Sequence, residues 1–243
     1  MTVQSTNPGD LLEQAMNPFF TPDEFPPAMT VRCSSIASDV RYWYFHLTQA
    51  PREPQKWTPK QSRTLRNGTD VHNRTQAVLH RLAQAGGTPH VQIDKVEGYD
   101  DTSASLQVYP GVTLSGHADG LVTVDGVPYV LEIKSINGGD WRHLKRPMRG
   151  HQWQAMGYHL LFHRPTLFLY ESKDTQLYKW FTYTPSEMDL MLINTKLHQL
   201  SEALATQTPP PFCEQETEPD FPNYIIKACA YCPFQAHCGK VPG

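Results

Sequence analysis

Three ionisable residues near the middle of the chain are placed to do chemistry. Asp119 stands in GHADG, and Glu132 and Lys134 stand two apart in VLEIKS, each within a run otherwise rich in Val, Leu and Ile. Two carboxylates brought together repel unless a cation neutralises them, and oxygen ligands suit Mg2+ or Mn2+. A lysine beside such a pair can orient or deprotonate a water, or stabilise charge developing on a phosphate.

What brings these residues together is a hairpin. In LSGHADGLVTVDGVPYVLEIKS, Asp125 and Gly126 form a favoured two-residue turn. Val124 then pairs with Val127, and counting outward places Asp119 opposite Glu132. Side chains alternate faces along a strand. One face collects Val122, Tyr129, Gly120, Leu131, Ala118 and Ile133 and is expected to be the core face. The other carries Leu121 and Val130 near the turn, then Asp119, Glu132, His117 and Lys134. Opposed carboxylates have Cβ atoms roughly 5 Å apart. A bulge near Gly116 or Gly120 would shift this register. Taken alone, the three charges also fit a solvent-exposed face with ordinary surface ion pairs.

Helices and strands around the hairpin follow from periodicity. SSIASDVRYWYFHL reads as a helix capped by Ser34 or Ser35, with Ile36, Val40, Trp43 and Leu47 near helical spacing. A loop containing Pro51, Pro54, Pro59 and Gly68 leads to a second helix, capped by Thr69 or Asp70 and stopped by Gly86 and Gly87. Strands occupy Val91 to Ser135. Beyond them come a helix over Pro147 to His163, a strand pair in TLFLYES and LYKWFTYT, and an amphipathic helix from Pro185 to Ala205 opened by Thr184 or Pro185. Residues 1–28 are proline-broken and read as an extended arm, 29–206 as the main domain, and 207–243 as a linker and cysteine cluster packing back near Cys33.

The chain has 243 residues, 39% of them hydrophobic and 19% charged, enough for a substantial core. No run suits a membrane span and no signal peptide is apparent, so a cytoplasmic location is expected. Net charge is −3, so a nucleic-acid partner needs a local basic patch or a metal. Such a patch exists in NGGDWRHLKRPMRGHQW, where Arg142, Lys145, Arg146 and Arg149 grip phosphates and Trp141 and Trp153 stack on unpaired bases, or else form a solvated loop with packed tryptophans.

Taken together, GHADG, LEIKS and QAMGY resemble the PD-(D/E)XK nuclease superfamily and, within it, the RecB-like exonucleases. The likeness covers roughly Thr69 to Tyr158. It implies an α/β restriction-endonuclease-like core, a central mixed sheet flanked by helices. By the same resemblance, His72 of GTDVH, Asp119, Glu132 and the Ile133 carbonyl hold Mg2+ or Mn2+, with Lys134 assisting hydrolysis. Gln154 and Tyr158 match a Gln-x-x-x-Tyr element, and a spacing of four puts them on one helix face. There they contact DNA or support the metal site. Each has an ordinary alternative: His72 a surface residue, Tyr158 a core aromatic.

Cys229, Cys232 and Cys238 form C-x2-C-x5-C, and Cys33 precedes the first helix. This resembles the iron-sulfur RecB-like exonucleases, including the CRISPR-associated family, and implies a [4Fe-4S] cluster that ties the two ends of the chain together. Cys213 competes as fourth ligand, and four thiolates also suit zinc. The expectation is a metal-dependent exonuclease acting on single-stranded DNA or DNA ends, with a homo-oligomer or a recombination or CRISPR partner protein as the assemblies it could enter. Its rivals are a phage-type recombination exonuclease with zinc in place of the cluster, and a non-catalytic DNA-binding or complex-assembly module on the same fold.

Overall fold

The computed structural model describes residues 8–17, 29–53, 57–211, 217–218, 221–225 and 232–238. Within the stretch expected as an extended arm, Pro8–Met16 is a helix, α1. Strand β1 (Val31–Arg32) runs into a 3-10 turn at Cys33–Ser35. Helix α2 (Val40–Leu47) starts later than its periodicity suggested, because Asp39, not a serine, accepts the backbone N–H of Arg41 and caps it.

Helix α3 (Pro59–Gln84) starts ten residues before the expected cap. Thr58 and Gln61 form a reciprocal capping box, and Pro59 occupies the first helical position, where its missing N–H costs nothing. Gly68, read as a loop residue, lies inside this helix near Ser135.

Strands β2 (Val91–Val96), β3 (Ser103–Tyr109), β4 (Val112–His117), β5 (Gly120–Val124) and β6 (Val127–Ile136) follow. The basic segment after β6 contains a short helix, α4 (Gly138–His143), capped by Asn137. Then come α5 (Arg149–Phe162), β7 (Thr166–Ser172), β8 (Tyr178–Tyr183) and α6 (Glu187–Thr206). Ser186 caps α6 through a second capping box with Asp189, in place of Thr184 or Pro185. Beyond the helices, β9 (Thr217–Glu218) pairs with β10 (Phe221–Ile225), and α7 (Gln235–Cys238) closes the described chain.

The central sheet is mixed, ordered β2-β5-β6-β7-β8. β6 and β7 are parallel, so the chain between them must cross over, and α4 and α5 supply that crossover. A second sheet, β1-β4-β3, holds β4 against β3 antiparallel and against β1 parallel. The Asp125–Gly126 turn has φ of 47° and 79°, the left-handed pair a tight hairpin turn demands. Its register is the expected one as far as Gly120 with Leu131.

There the ladder ends, and the expectation that Asp119 pairs with Glu132 across the strands is corrected. β4 belongs to the other sheet, and Asp119 sits at the bend between the two. The one-sided core also gives way, because Val130, Leu131, Glu132 and Ile133 are all buried. Leu131 and Ile133 pack with Val71 of α3, while Val130 joins a second core with Trp153, Met156 and Tyr158 of α5. β6 is thus a central strand sandwiched by helices. Among the described residues, no helix is long and apolar enough to cross a membrane.

Candidate active site

Because β5 stops pairing at Gly120, the edge of β6 from Glu132 onward faces the Asp119 bend. Asp119 fills part of that gap with its side chain: Oδ2 accepts the Ile133 backbone N–H at 2.5 Å. Its other oxygen, Oδ1, lies 2.9 Å from His72 Nδ1 on α3. The Asp119 backbone carbonyl accepts the Glu97 N–H at 3.1 Å, which brings the residue just after β2 level with it.

Glu97 is the site residue that the sequence reading missed. Its ligand oxygen, one of Asp119 and a ring nitrogen of His72 lie within 4.8 Å of one another, a grouping suited to a divalent cation. Gln76, one turn after His72 on α3, donates to Glu97 Oε2 at 2.8 Å and holds it there. A register shift between Ile93 and Lys95 aligns Glu97 with Asp119, and no local pattern in the sequence announces that shift.

On the other side of β6, Glu132 is the hub of a buried network. Lys134 Nζ donates to Glu132 Oε1 at 2.6 Å and to Gln154 Oε1 at 2.9 Å. Gln154 Nε2 donates to Glu132 Oε1 at 2.8 Å and lies 2.9 Å from the Tyr158 hydroxyl. That hydroxyl lies 2.8 Å from Glu132 Oε2 and 2.6 Å from the His117 carbonyl. Gln154 and Tyr158 are fully buried, so they orient the Glu132 carboxylate and have no face open to a nucleic acid. Desolvating an acid and a base costs several kcal/mol per ion, and their attraction repays it only with good geometry and further hydrogen bonds. A hydrophobic filling would serve stability as well, so such a network points to chemistry.

The charges press on one another. Burial and the nearby Glu132 carboxylate push the Asp119 carboxyl up to about 6, against the hydrogen bond and charge of His72. Burial acts to lower the pKa of His72, but the hydrogen bond and charges of Asp119 and Glu132 outweigh it and raise it above the usual value. Tyr158 is held well above the ordinary phenol range by burial and by Glu132, so it keeps its proton. A cation between the carboxylates would relieve this crowding.

The expected DNA contacts divide. Arg142, Lys145 and Arg146 are exposed. Arg149 pairs with Asp189 at 3.3 Å and lies over the Trp153 ring. Trp153 is buried, with Lys196 Nζ 4.5 Å from its ring centroid, which corrects its assignment as a stacking platform. Trp141 is half-buried, with Lys179 Nζ 4.5 Å from its centroid.

Cys33 is enclosed: Cβ atoms added at Gly116 or Gly157 would meet its sulfur at 3.0 and 2.8 Å. Burial raises its thiol pKa well above the ordinary value. Cys232 and Cys238 pack against the core that contains Cys33. Among the described residues these three thiols do not form a group as close as that of His72, Glu97 and Asp119. Cys213 and Cys229 lie outside the described residues.

A mixed sheet with a carboxylate–histidine group at one edge and a buried acid–lysine pair beside it defines a protein built for divalent-cation chemistry. The chain belongs to the PD-(D/E)XK nuclease superfamily, whose family model matches residues 6–239. Membership brings with it the class of metal-dependent nuclease and DNA as substrate. The crystal structure of SSO0001 shares the fold, with a TM-score of 0.53 over 95% of each chain at 16% identity. No curated protein matches the chain.

Proposed function

We propose that this chain is a Mg2+- or Mn2+-dependent deoxyribonuclease of the RecB-like kind, an exonuclease acting on single strands or DNA ends. The observation that carries the proposal is the meeting of Asp119, His72 and Glu97 at the open edge of the strand that bears Glu132 and Lys134. Asp119, Glu132, His72, Glu97 and the Ile133 carbonyl would hold the cation. When bound, it supplies the positive charge that activates water and stabilises the phosphorane-like transition state.

The chain's own groups do the rest. Lys134 is one-fifth exposed at its side chain, so its ammonium reaches the space where a phosphate would lie while Gln154 and Glu132 fix its direction. Gln154 and Tyr158 keep the Glu132 carboxylate aimed. Arg142, Lys145 and Arg146 are exposed to take flanking phosphates.

For the cysteines we extend the proposal to a [4Fe-4S] cluster held by Cys33, Cys229, Cys232 and Cys238. The packing of Cys232 and Cys238 against the core of Cys33 supports it. Iron and sulfide analysis of anaerobically purified protein tests it, and iron-free, colourless protein of full activity would refute it.

The central test digests 5′- and 3′-labelled single-stranded, duplex and circular DNA with Mg2+ or Mn2+, comparing wild type with Glu132→Gln, which keeps the shape of the hub. Wild type should release nucleotides from ends and spare circles. The variant should lose at least about a hundredfold in rate, the scale of removing one well-placed electrostatic group. Equal activity of the two proteins would refute the site.

A further inference from the structure

The face of the central sheet that α3 covers carries more than core. Side chains alternate along each strand, so Ile133 and Ser135 of β6, Leu169 and Glu171 of β7, and Tyr178 and Trp180 of β8 share that face, in rows set by the strand register. Val71 of α3 shares a core with Ile133 and Leu169. Farther across, Tyr178 and Trp180 stay half exposed, at 51% each, with ring centroids 6.4 Å apart in an edge-to-face contact. Exposed aromatic rings grouped beside a covered core read as a binding surface.

The neighbouring acid says what kind. Glu171 is almost fully buried, and its Oε1 accepts from the Arg74 guanidinium on α3. Its Oε2 is buried too and has no hydrogen-bond partner among the described residues. Burying a carboxylate and satisfying half of it costs stability, whereas Leu169 on the same strand face simply packs. What the acid achieves is a guanidinium held in one place. The Arg74 side chain is 44% exposed, and among the described residues Glu171 alone bonds it, so its remaining N–H groups are open to a ligand. Such a fork matches phosphate oxygens. Lys173, in the turn just past Glu171, makes no ion pair among the described residues and adds positive charge.

Tyr178 is the register partner of Glu171, and Glu171 that of Ser135, the residue after Lys134. This row crosses from β6 to β8 in about 10 Å. We propose that the surface docks single-stranded DNA: Arg74 binds a backbone phosphate, and Trp180 and Tyr178 stack unpaired bases. The strand is thereby held beside β6 by contacts apart from the phosphate being cleaved. Fixed positive charge with aromatic faces is the combination that single strands take, and a duplex hides the bases the rings would meet. The choice of ligand rests on the nuclease proposal.

The experiment uses the full chain with Ca2+ in place of Mg2+ or Mn2+, and follows the fluorescence anisotropy of a labelled single-stranded oligonucleotide. Trp180→Ala and Tyr178→Ala should each weaken binding about tenfold, the scale of one lost base stack, while affinity for the duplex of the same sequence should change less than about twofold. Trp180→Phe keeps a ring and should regain most of the affinity; Trp180→Leu keeps bulk alone and should not. Arg74→Ala would strand Glu171, so the arginine is tested with Arg74→Met and Glu171→Met together, which removes both charges. That protein should bind more weakly, and the slope of log affinity against log salt should fall by about 0.7, the value of one single-strand phosphate contact. Unchanged affinity in Trp180→Ala, rescue by leucine as full as by phenylalanine, or an unchanged salt slope in the double variant would overturn the proposal. Wild-type protein that binds the strand but never cleaves it in Mn2+ would defeat the nuclease reading, while the binding comparison would still decide this surface.

Discussion

At the scale of single residues, Asp119 is the most exposed to the conflict that makes the site work. Its carboxyl sits at about 6, against about 3.9 in an unfolded chain, because burial and Glu132 both oppose its charge. Between those values the folded state binds a proton that the unfolded state does not, so the metal-free fold gains stability as pH falls from 7 toward 4.5. The raised pKa of His72 acts in the same direction, contributing stability below its unfolded value that is lost as pH rises. In EDTA, the melting temperature should therefore be a few degrees higher at pH 5 than at pH 7.5, and Asp119→Asn should flatten most of the difference. Divalent cation should reverse the trend, since protons and metal compete for one carboxylate. A pH-independent melting temperature in metal-free wild type would count against the crowding of Asp119 and Glu132.

Among elements, the hairpin was legible and its continuation was not. The Asp-Gly turn fixes a local register, and five cross-strand pairs follow it. Past Gly120 the chain changes sheets, and this is decided by β4 pairing with β1 and β3, contacts remote in sequence. Asp119 therefore reaches β6 by bonding the Ile133 N–H, not by standing opposite Glu132. Glu97 was invisible for the same reason, since only the shifted pairing of β2 with β5 brings it near. α5 was legible as a helix, but not the closeness of its approach to the turn at Cys33. A methyl at Gly157 would lie 2.8 Å from the Cys33 sulfur, so Gly157→Ala should cost about 1–3 kcal/mol through overpacking. In a Cys33→Ala background the sulfur is gone, and alanine's better helix propensity should make the same change stabilising by up to about 1 kcal/mol. Denaturant melts of the four proteins check this, and a cost unchanged by Cys33→Ala would show that the sulfur is not the obstacle.

For the molecule as a whole, the question is what holds the two ends of the chain against the catalytic core. Cys33 and α2 lie at one end of the sequence and residues 232–238 at the other, yet they share one hydrophobic cluster. Phe234 is almost fully buried, with ring centroids 5.5 Å from Tyr42 and 6.0 Å from Phe45, and the Arg52 guanidinium lies 5.8 Å from its centre. Hydrogen bonds flank this plug: Arg41 donates to the carbonyls of Pro210 and Cys238, and the Glu53 N–H to that of Pro233. The cysteine cluster proposed above would therefore not be the only link between these two segments. Phe234→Ala should cost about 3–5 kcal/mol, lowering the melting temperature by on the order of 10 °C. The residues proposed to hold the cation lie on α3, on β6 and at Glu97 and Asp119, and Phe234 shares a cluster with Tyr158, which only supports Glu132, so cleavage at low temperature should stay within a fewfold of wild type. If a cluster alone closes the chain, the order of effects inverts: Phe234→Ala melts with wild type, and iron chelation produces the large loss. Measuring both perturbations on the same protein separates an apolar latch from a metal staple.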